Sequence, residues 1–558
     1  MQKGEFNLLY EPWIRAINQE GKTEELSLLT VLQRAHELRG LAGELPTQDV
    51  AILRLLLAAL YATFTRVDVQ GNRKPIQNES EALKRWQSLW ELKHLPIEPI
   101  KTRLCYYEDR FYLFHPERPF YQVAGLYEAN GKRNTVAQIV SDVPSRAERR
   151  FLSMKGGKSA EFLSYAEAAR WLVSMQAWDY AGKKASVVNG SPNGGGTGWL
   201  GKIGVVYPSS NTLFETLMLN FVLLKPDGSL LPYGSPTWEE EQMPTPEKKE
   251  RQPQGYCELL TWQSRRVRLF PGEGHDSHLV TGVLYSYGDV FQAPDMFIEQ
   301  MTGWHISTQG KTKGHYIPNR HQKERNLWRD LNSILPQATN SADNGKLTPG
   351  VVQWLFSLYE SEALPDEIIQ LNAVGFHYGA MDAKVEAMTA DTLSIHTGLF
   401  SKLGMDWVLR ITNLLQLTDD CVWQLSILAT DLSKSCGDID SQNHQAGAGI
   451  SSAAKAEAYF RLDMPFRRWL ADIDPAQSDM DEAEQSWKDI VKRILLQIGE
   501  EMAHQSGERG IVGRILKGKL YTAPSALLKF HSNIERRLGY GKIGKSELSN
   551  RKANAAKS

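Results

Sequence analysis

Cysteine is scarce in this chain of 558 residues, and no C-x-x-C pair occurs. The four cysteines are widely separated: Cys105, Cys257, Cys421 and Cys436. This spacing argues against a disulfide framework and against a cysteine-rich zinc site. His315 and His321 lie six residues apart in a polar stretch, which is an unspecific spacing for a metal. We therefore predict no metal site.

The chain also lacks an excess of charge of one sign. Its 64 Lys and Arg stand against 65 Asp and Glu, which excludes a globally basic nucleic-acid-binding protein. Any such role must come from local patches or from partners. The first residues show no signal-peptide pattern, and the longest apolar run, Ala51–Phe64, contains Arg54 and is too short to span a bilayer. We expect a cytoplasmic protein without a membrane partner.

Catalytic patterns are missing as well. The sequence contains no H-E-x-x-H, no G-x-S-x-G and no H-x-E…P-C-x-x-C. Catalysis needs a constellation of residues and not a single side chain. We therefore predict that the chain is not an enzyme, holds no cofactor, and binds or scaffolds other molecules.

The order of the elements predicts an α+β fold. Strand and helix signals are interspersed from the start of the chain to about residue 390. Five segments with helical periodicity follow: Thr392–Leu417, Val422–Leu432, Ala453–Ile473, Asp481–Ala503 and Ser525–Arg537. This pattern indicates a large mixed α/β N-terminal domain (residues 1–390) and an all-α C-terminal four-helix bundle (residues 391–540). Residues 541–558 form a basic tail that we expect to be disordered.

A glycine-rich loop, Asn189–Lys202, is the most unusual stretch, with six glycines in fourteen residues. Glycine lets the backbone adopt positive φ and approach another surface closely, and exposed N–H groups suit phosphates or base edges. The loop includes Gly196-x4-Gly201-Lys202, which is part of a P-loop, but Ile203 stands where the magnesium-binding hydroxyl belongs. A flexible loop, a nucleic-acid contact and a nucleotide site all remain open.

Two stretches are locally basic. Residues 137–158 read as a loop with several cations, and Lys311–Arg325 combines cations with two histidines. Each is either a solvated loop or a segment that follows phosphates.

The opening Phe6–Ile14, with Pro12-Trp13-Ile14, resembles the start of CasA, the large subunit of the type I-E CRISPR Cascade complex. The following order is similar too: a basic loop near 150, the glycine loop, the Gly-aromatic-x-Tyr-Gly segment near 375 and a terminal helical bundle. Asn326–Leu331 also resembles that family. The resemblance covers essentially the whole chain and implies the same two-domain fold.

The resemblance implies recognition and not catalysis. CasA holds the 5′ handle of the crRNA and inspects double-stranded target DNA for the protospacer-adjacent motif (PAM). It helps to start strand separation and R-loop formation and recruits the helicase–nuclease. The implied partners are thus the crRNA, the target duplex, the other Cascade subunits and the helicase–nuclease.

The resemblance also assigns residues. The handle-contacting loop matches Arg149, Arg150, Phe151, Leu152 and Lys155. Stacking on an aromatic ring beside cations suits an unpaired RNA end. The PAM-reading glycine loop matches Asn193, Gly194, Gly195 and Gly196, where a backbone without side chains suits the narrow minor groove.

The family's wedge, which pushes between base pairs, matches Tyr378, Gly379, Ala380, Met381 and Asp382. Many relatives have glutamine or asparagine here. An inserted methionine can part stacked bases, whereas an aspartate repels phosphate unless it turns away.

A further family element, a lysine in the minor groove, falls near Pro294–Phe297, where this chain has no lysine. Lys311 or Lys313 is the substitute that we consider.

Two alternative functions belong to other classes of protein. One is a P-loop-like nucleotide hydrolase that uses Gly196–Lys202. The other is a pure scaffold, since 15 tryptophans suit a chain with partner interfaces.

Overall fold

The computed structural model describes residues 5–141, 161–335, 345–438 and 444–540. The chain forms two compact units, Met1–Leu393 and Ser394–Ser558. The first mixes short helices with antiparallel sheets, and the second is helical apart from one hairpin. The predicted fold class is confirmed: a mixed α/β region precedes a helical C-terminal region.

The helices of the first unit are α1 Leu28–Gln33, α2 Pro46–Phe64, α3 Glu79–Glu91, α4 Ile97–Cys105, α5 Tyr165–Trp178, α6 Leu213–Leu219, α7 Tyr256–Leu260 and α8 Gly350–Glu360. The strands that begin in this unit are β1 Glu5–Asn7, β2 Ile14–Asn18, β3 Thr23–Leu26, β4 Leu38–Leu41, β5 Tyr112–Phe114, β6 Asn134–Thr135, β7 Leu163–Ser164, β8 Val205–Ser209, β9 Arg265–Pro271, β10 Leu279–Tyr287, β11 Trp304–Ile306, β12 Tyr316–Pro318, β13 Lys346–Leu347, β14 Ile368–Tyr378 and β15 Val385–His396.

Helix α2 is the centre of the first unit's core. Its length and hydropathy alone would let it cross a bilayer, but 94% of that apolar window is buried within the described residues, as in a core helix. Arg54 in its middle is neutralised by Glu299, whose two carboxylate oxygens each accept a hydrogen bond of 3.0 Å. The Trp199 indole donates to the same carboxylate at 2.6 Å. Glu299 therefore ties the core helix to the base of the glycine loop.

Three antiparallel sheets surround that loop. Strand β14 pairs with both β8 and β15, and a tight turn joins β14 to β15. Strand β9 pairs with β10, whose last residue, Tyr287, lies against the glycine loop. Strands β11 and β12 form a hairpin with its tip near residue 311. The sheets thus bring loops from distant parts of the sequence to one place.

In the second unit, long amphipathic helices pack around Trp487, which is 1% exposed. The elements of this unit are α9 Lys402–Cys436, α10 His444–Ala471, α11 Met480–Gln505, α12 Gly507–Val512, β16 Arg514–Leu516, β17 Lys519–Tyr521 and α13 Ala523–Arg537. Helices α9, α10, α11 and α13 form the predicted four-helix bundle.

The first two predicted bundle helices were wrong in detail. Residues 392–396 belong to strand β15, and α9 continues without a break from Lys402 to Cys436. Asp419 and Asp420 lie inside that helix, where they bond Tyr459 and Arg537. Gly437, at φ 84°, ends the helix in the left-handed conformation that glycine favours. The predicted tail, residues 541–558, lies outside the described residues.

Candidate nucleic-acid interface

The three glycines of the loop have different surroundings. Gly194 and Gly196 adopt positive φ angles of 85° and 68°. Gly195 is buried, and a Cβ there would lie 2.1 Å from the Tyr287 ring. Asn193 and Gly194 are exposed. The outward face of the loop is therefore formed by Asn193 and Gly194, while Gly195 packs inward.

Tyr287 anchors the loop from the end of β10. Its backbone N–H donates to the Ser191 carbonyl at 3.0 Å. Its hydroxyl donates to the Ala181 carbonyl at 2.5 Å and lies 3.1 Å from that of Gly182. Tyr287 thus attaches the loop to β10 and leaves no room for a side chain at Gly195.

Buried cations lie beneath the loop. The Arg265 guanidinium donates to the Asp179 carboxylate and, at 2.8 Å, to the Gly196 carbonyl. Lys184 pairs with the same carboxylate at 2.7 Å. Burial lowers the pKa of Lys184 to about 8, Asp179 raises it and Arg265 lowers it further. Two cations share one carboxylate, so the floor of the loop is electropositive.

The P-loop-like pattern does not have P-loop geometry. Trp199–Lys202 forms a single 3₁₀ turn, and strand β8 follows it, whereas a P-loop runs from a strand into an α-helix. A Cβ at Gly201 would lie 2.6 Å from the Tyr378 hydroxyl, so this glycine serves packing against the β14–β15 turn. The nucleotide-hydrolase hypothesis is therefore wrong in its structural premise.

The predicted wedge is the turn between β14 and β15. Tyr378 is its anchor, because the hydroxyl donates to the Trp178 carbonyl at 2.5 Å. Gly379 and Ala380 lead into Met381, whose side chain is 90% exposed. Met381 and Asp382 both adopt positive φ, 56° and 51°. The turn therefore presents one large apolar side chain at its tip.

The wedge turn and the glycine loop form one site. The Ala181 N–H, next to the carbonyl that Tyr287 binds, donates to the Asp382 carbonyl at 2.7 Å. The Asp382 carboxylate accepts two hydrogen bonds of 3.2 Å from Arg320. Its negative charge is thus directed at an arginine, which is the turning away that the sequence analysis requires of an aspartate in the predicted wedge.

Lys311 and Lys313 lie at the exposed tip of the β11–β12 hairpin. The hairpin meets the site at its other end, where the Gly204 N–H donates to the Asn319 carbonyl at 2.6 Å and Arg320 follows. The segment in which a lysine was expected contains Asp295 instead, and its carboxylate accepts a 2.9 Å bond from the Tyr316 N–H. This hydrogen bond fixes the β11–β12 hairpin to the segment that contains Asp295.

Lys248 is a cation of this site that the sequence analysis missed. It lies in an irregular segment, and its ammonium donates to the Gly194 carbonyl at 3.2 Å. No sequence signal marks this lysine among its neighbours, since 54 positions separate the two residues. Arg320 was visible only as one member of a basic run. The predicted handle-contacting residues Arg149, Arg150, Phe151, Leu152 and Lys155 lie outside the described residues, so that assignment stays a prediction.

Comparison with known proteins gives consistent matches. The sequence matches the family described as CRISPR-associated protein Cse1 over residues 7–498. A CRISPR-associated protein CasA/Cse1 of Thermus thermophilus is 28% identical over 341 residues, which span 60% of this chain and 60% of that protein.

Solved structures share the fold over nearly the full length. Thermobifida fusca Cse1 is similar with a TM-score of 0.82 and 30% identity, covering 97% of this chain and 99% of that one. A chain of a CRISPR RNA-guided surveillance complex has a TM-score of 0.68 and 20% identity, covering 95% and 99%.

Proposed function

Because the chain belongs to the Cse1 family of CRISPR-associated proteins, we propose that it is the large, non-catalytic subunit of a type I-E RNA-guided surveillance complex. The fold shared with a chain of such a complex supports this assignment. Its partners are then the crRNA, the target duplex, the other subunits and the helicase–nuclease that it recruits. The task of the subunit is to recognise the short PAM, while guide pairing supplies the remaining specificity.

The observation that carries this proposal is the union of the glycine loop and the wedge turn in one exposed site. Gly194 has no side chain and Asn193 offers an amide, so the loop can approach the floor of a minor groove. Lys248 lies at the same tip and suits a phosphate at the groove edge. The reading surface is therefore Asn193, Gly194 and Lys248, and Gly195 and Gly196 support it from within.

Met381 is the strand-separating residue in this proposal. Apolar side chains that enter between base steps unstack and kink a duplex. Met381 is held out from the protein by the left-handed backbone of its turn, with 90% of its surface exposed. Next to a bound motif it would open the first base pair and so start the R-loop.

The test is duplex binding by the complex reconstituted with guide RNA, with and without this chain. Two duplexes that differ only in the base pairs flanking the target sequence are compared at one salt concentration, because phosphate contacts make affinity salt-dependent. We expect discrimination only when the chain is present, and its loss in Gly194→Ala. Equal binding and discrimination without the chain would contradict the proposal and favour the pure scaffold.

A further inference from the structure

Arg320 is an exposed cation of the candidate interface that could bind a DNA phosphate, but an ion pair already engages it. The Arg320 guanidinium spans both carboxylate oxygens of Asp382, with Nη1–Oδ1 and Nη2–Oδ2 distances of 3.2 Å. Its Nε donates to the Lys202 carbonyl at 3.3 Å. The side chains of Arg320 and Asp382 are 47% and 33% exposed, so both can exchange partners with a ligand from solution.

Lys202 adds a second cation beside this pair. Its ammonium has no hydrogen-bond acceptor among the residues that the structure describes. Burial, followed by Arg265 and Arg320, lowers the pKa of Lys202 to about 8, and Asp382 acts against this shift. The ammonium lies 5.8 Å from the centroid of the Phe291 ring and is influenced by the charges of two guanidinium groups, so a mostly buried cation without an acceptor is stabilised here by an anion.

We propose that Lys202 and Arg320 form a phosphate-binding site, that the Asp382 carboxylate occupies the Arg320 fork while DNA is absent, and that a backbone phosphate of the target duplex replaces it. A phosphate offers the same pair of oxygens to a guanidinium as a carboxylate does. The site rests on the proposed function, since it places the duplex against the wedge turn.

The exchange requires only a side-chain rotation. The Asp382 backbone stays fixed by its carbonyl, which accepts the 2.7 Å bond from Ala181. Its neighbour Met381 lies in the same turn. Arrival of a phosphate at Arg320 thus releases the carboxylate and holds the backbone of the duplex beside Met381, while the turn itself keeps its shape.

The decisive variant is Asp382→Asn, which keeps the shape of the side chain and removes the competing charge. Asparagine also tolerates the φ of 51° at this position. Because a solvent-exposed ion pair is worth at most about 1 kcal/mol, we expect affinity for the duplex to rise about two- to fivefold, whichever motif it carries. Glu386→Gln is the matched control, because it removes one negative charge from the same hairpin, where Glu386 pairs with Lys384. We expect less than about a twofold effect there.

A double-mutant cycle separates this exchange from a general charge effect. Arg320→Gln removes one phosphate contact, so the slope of log affinity against log salt should become shallower by about one. In that background, Asp382→Asn should give no more than the gain of Glu386→Gln, because the fork for which the carboxylate competes is gone and only a general charge effect remains. A full gain in the Arg320→Gln background, or an equal gain from Glu386→Gln, overturns the site.

Two further arms complete the experiment. Inorganic phosphate and chloride are compared as competitors at equal ionic strength. If phosphate competes more strongly than chloride and this difference disappears in Arg320→Gln, the site also binds free phosphate. If the two anions compete equally, the site binds only the phosphodiester backbone. Motif discrimination by the unaltered chain is measured in parallel. Its absence refutes the proposed function, while an additive cycle with discrimination intact refutes only the phosphate site.

Discussion

Alanine at Gly195 should damage the glycine loop from within. A methyl group there would lie 2.1 Å from Tyr287 Cδ1 and 2.7 Å from Cγ. The ring has little freedom to move, because its hydroxyl is bonded to Ala181 and the Arg265 guanidinium carbon lies 4.6 Å from its centroid. Overpacking of this kind costs about 1–3 kcal/mol. We expect Gly195→Ala to lower the free energy of unfolding by that amount, measured by urea denaturation of the full chain.

Gly194→Ala is the matched control, since the added methyl meets only the flexible end of Lys248, at 3.4 Å. Its cost comes from the φ of 85° and is about 1 kcal/mol. Duplex binding should show the reverse order: Gly194→Ala should weaken binding more than Gly195→Ala, because in the proposed interface the exposed Gly194 faces the groove and the buried Gly195 does not. If Gly195→Ala is as stable as the unaltered chain, the inward packing that we describe is refuted.

Three other substitutions test the surrounding structure. Glu299→Gln leaves Arg54 buried without its charge partner and should destabilise the chain by about 3–5 kcal/mol in urea denaturation, and a loss below about 1 kcal/mol would show that the pair is not needed. Met381→Ser should leave the urea midpoint unchanged but reduce base-pair opening, measured by the fluorescence of a base analogue beside the motif, and unchanged opening would exclude Met381 as the wedge. Burial raises the pKa of Asp49 from 3.8 to about 7, so its ionisation weakens the fold as pH rises from about 4 to 7. Asp49→Asn should remove this loss, so the free energy of unfolding should rise by up to about 4 kcal/mol at pH 8 and by little at pH 4. Equal gains at both pH values would contradict the raised pKa of Asp49.

The helical bundle and the position of the glycine loop could be predicted from the sequence because both depend on local residue patterns. Helical periodicity is visible over any few turns, so α11 and α13 were found to within two residues of their ends, whereas the predicted start of α10 lies nine residues after His444, where the helix begins. The break predicted in α9, between Leu417 and Val422, contains Asp419 and Asp420, and two adjacent acidic residues resemble a helix boundary when their partners are unknown. Tyr459 and Arg537 supply those partners from other helices.

The chemistry of the interface could not be read in the same way. Gly194 and Gly195 are adjacent and chemically identical, and only Tyr287, more than ninety positions away, decides which of them faces inward. The pairing of Arg320 with Asp382 likewise joins residues 62 positions apart. Such contacts depend on how the sheets bring loops together, which no single stretch of sequence records.

The bonds that hold the glycine loop also determine what it can read. Lys248 takes up the Gly194 carbonyl and Arg265 takes up that of Gly196, so these two acceptors of the loop are engaged by the protein itself. The loop therefore offers a ligand fewer acceptors than its sequence suggests. A·T and T·A pairs present only acceptors in the minor groove, whereas a G·C pair adds an amino donor. In the proposed function we therefore expect the loop to accept either orientation of an A·T pair alike, whereas the amino group of a G·C pair finds neither the Gly194 nor the Gly196 carbonyl free to accept it.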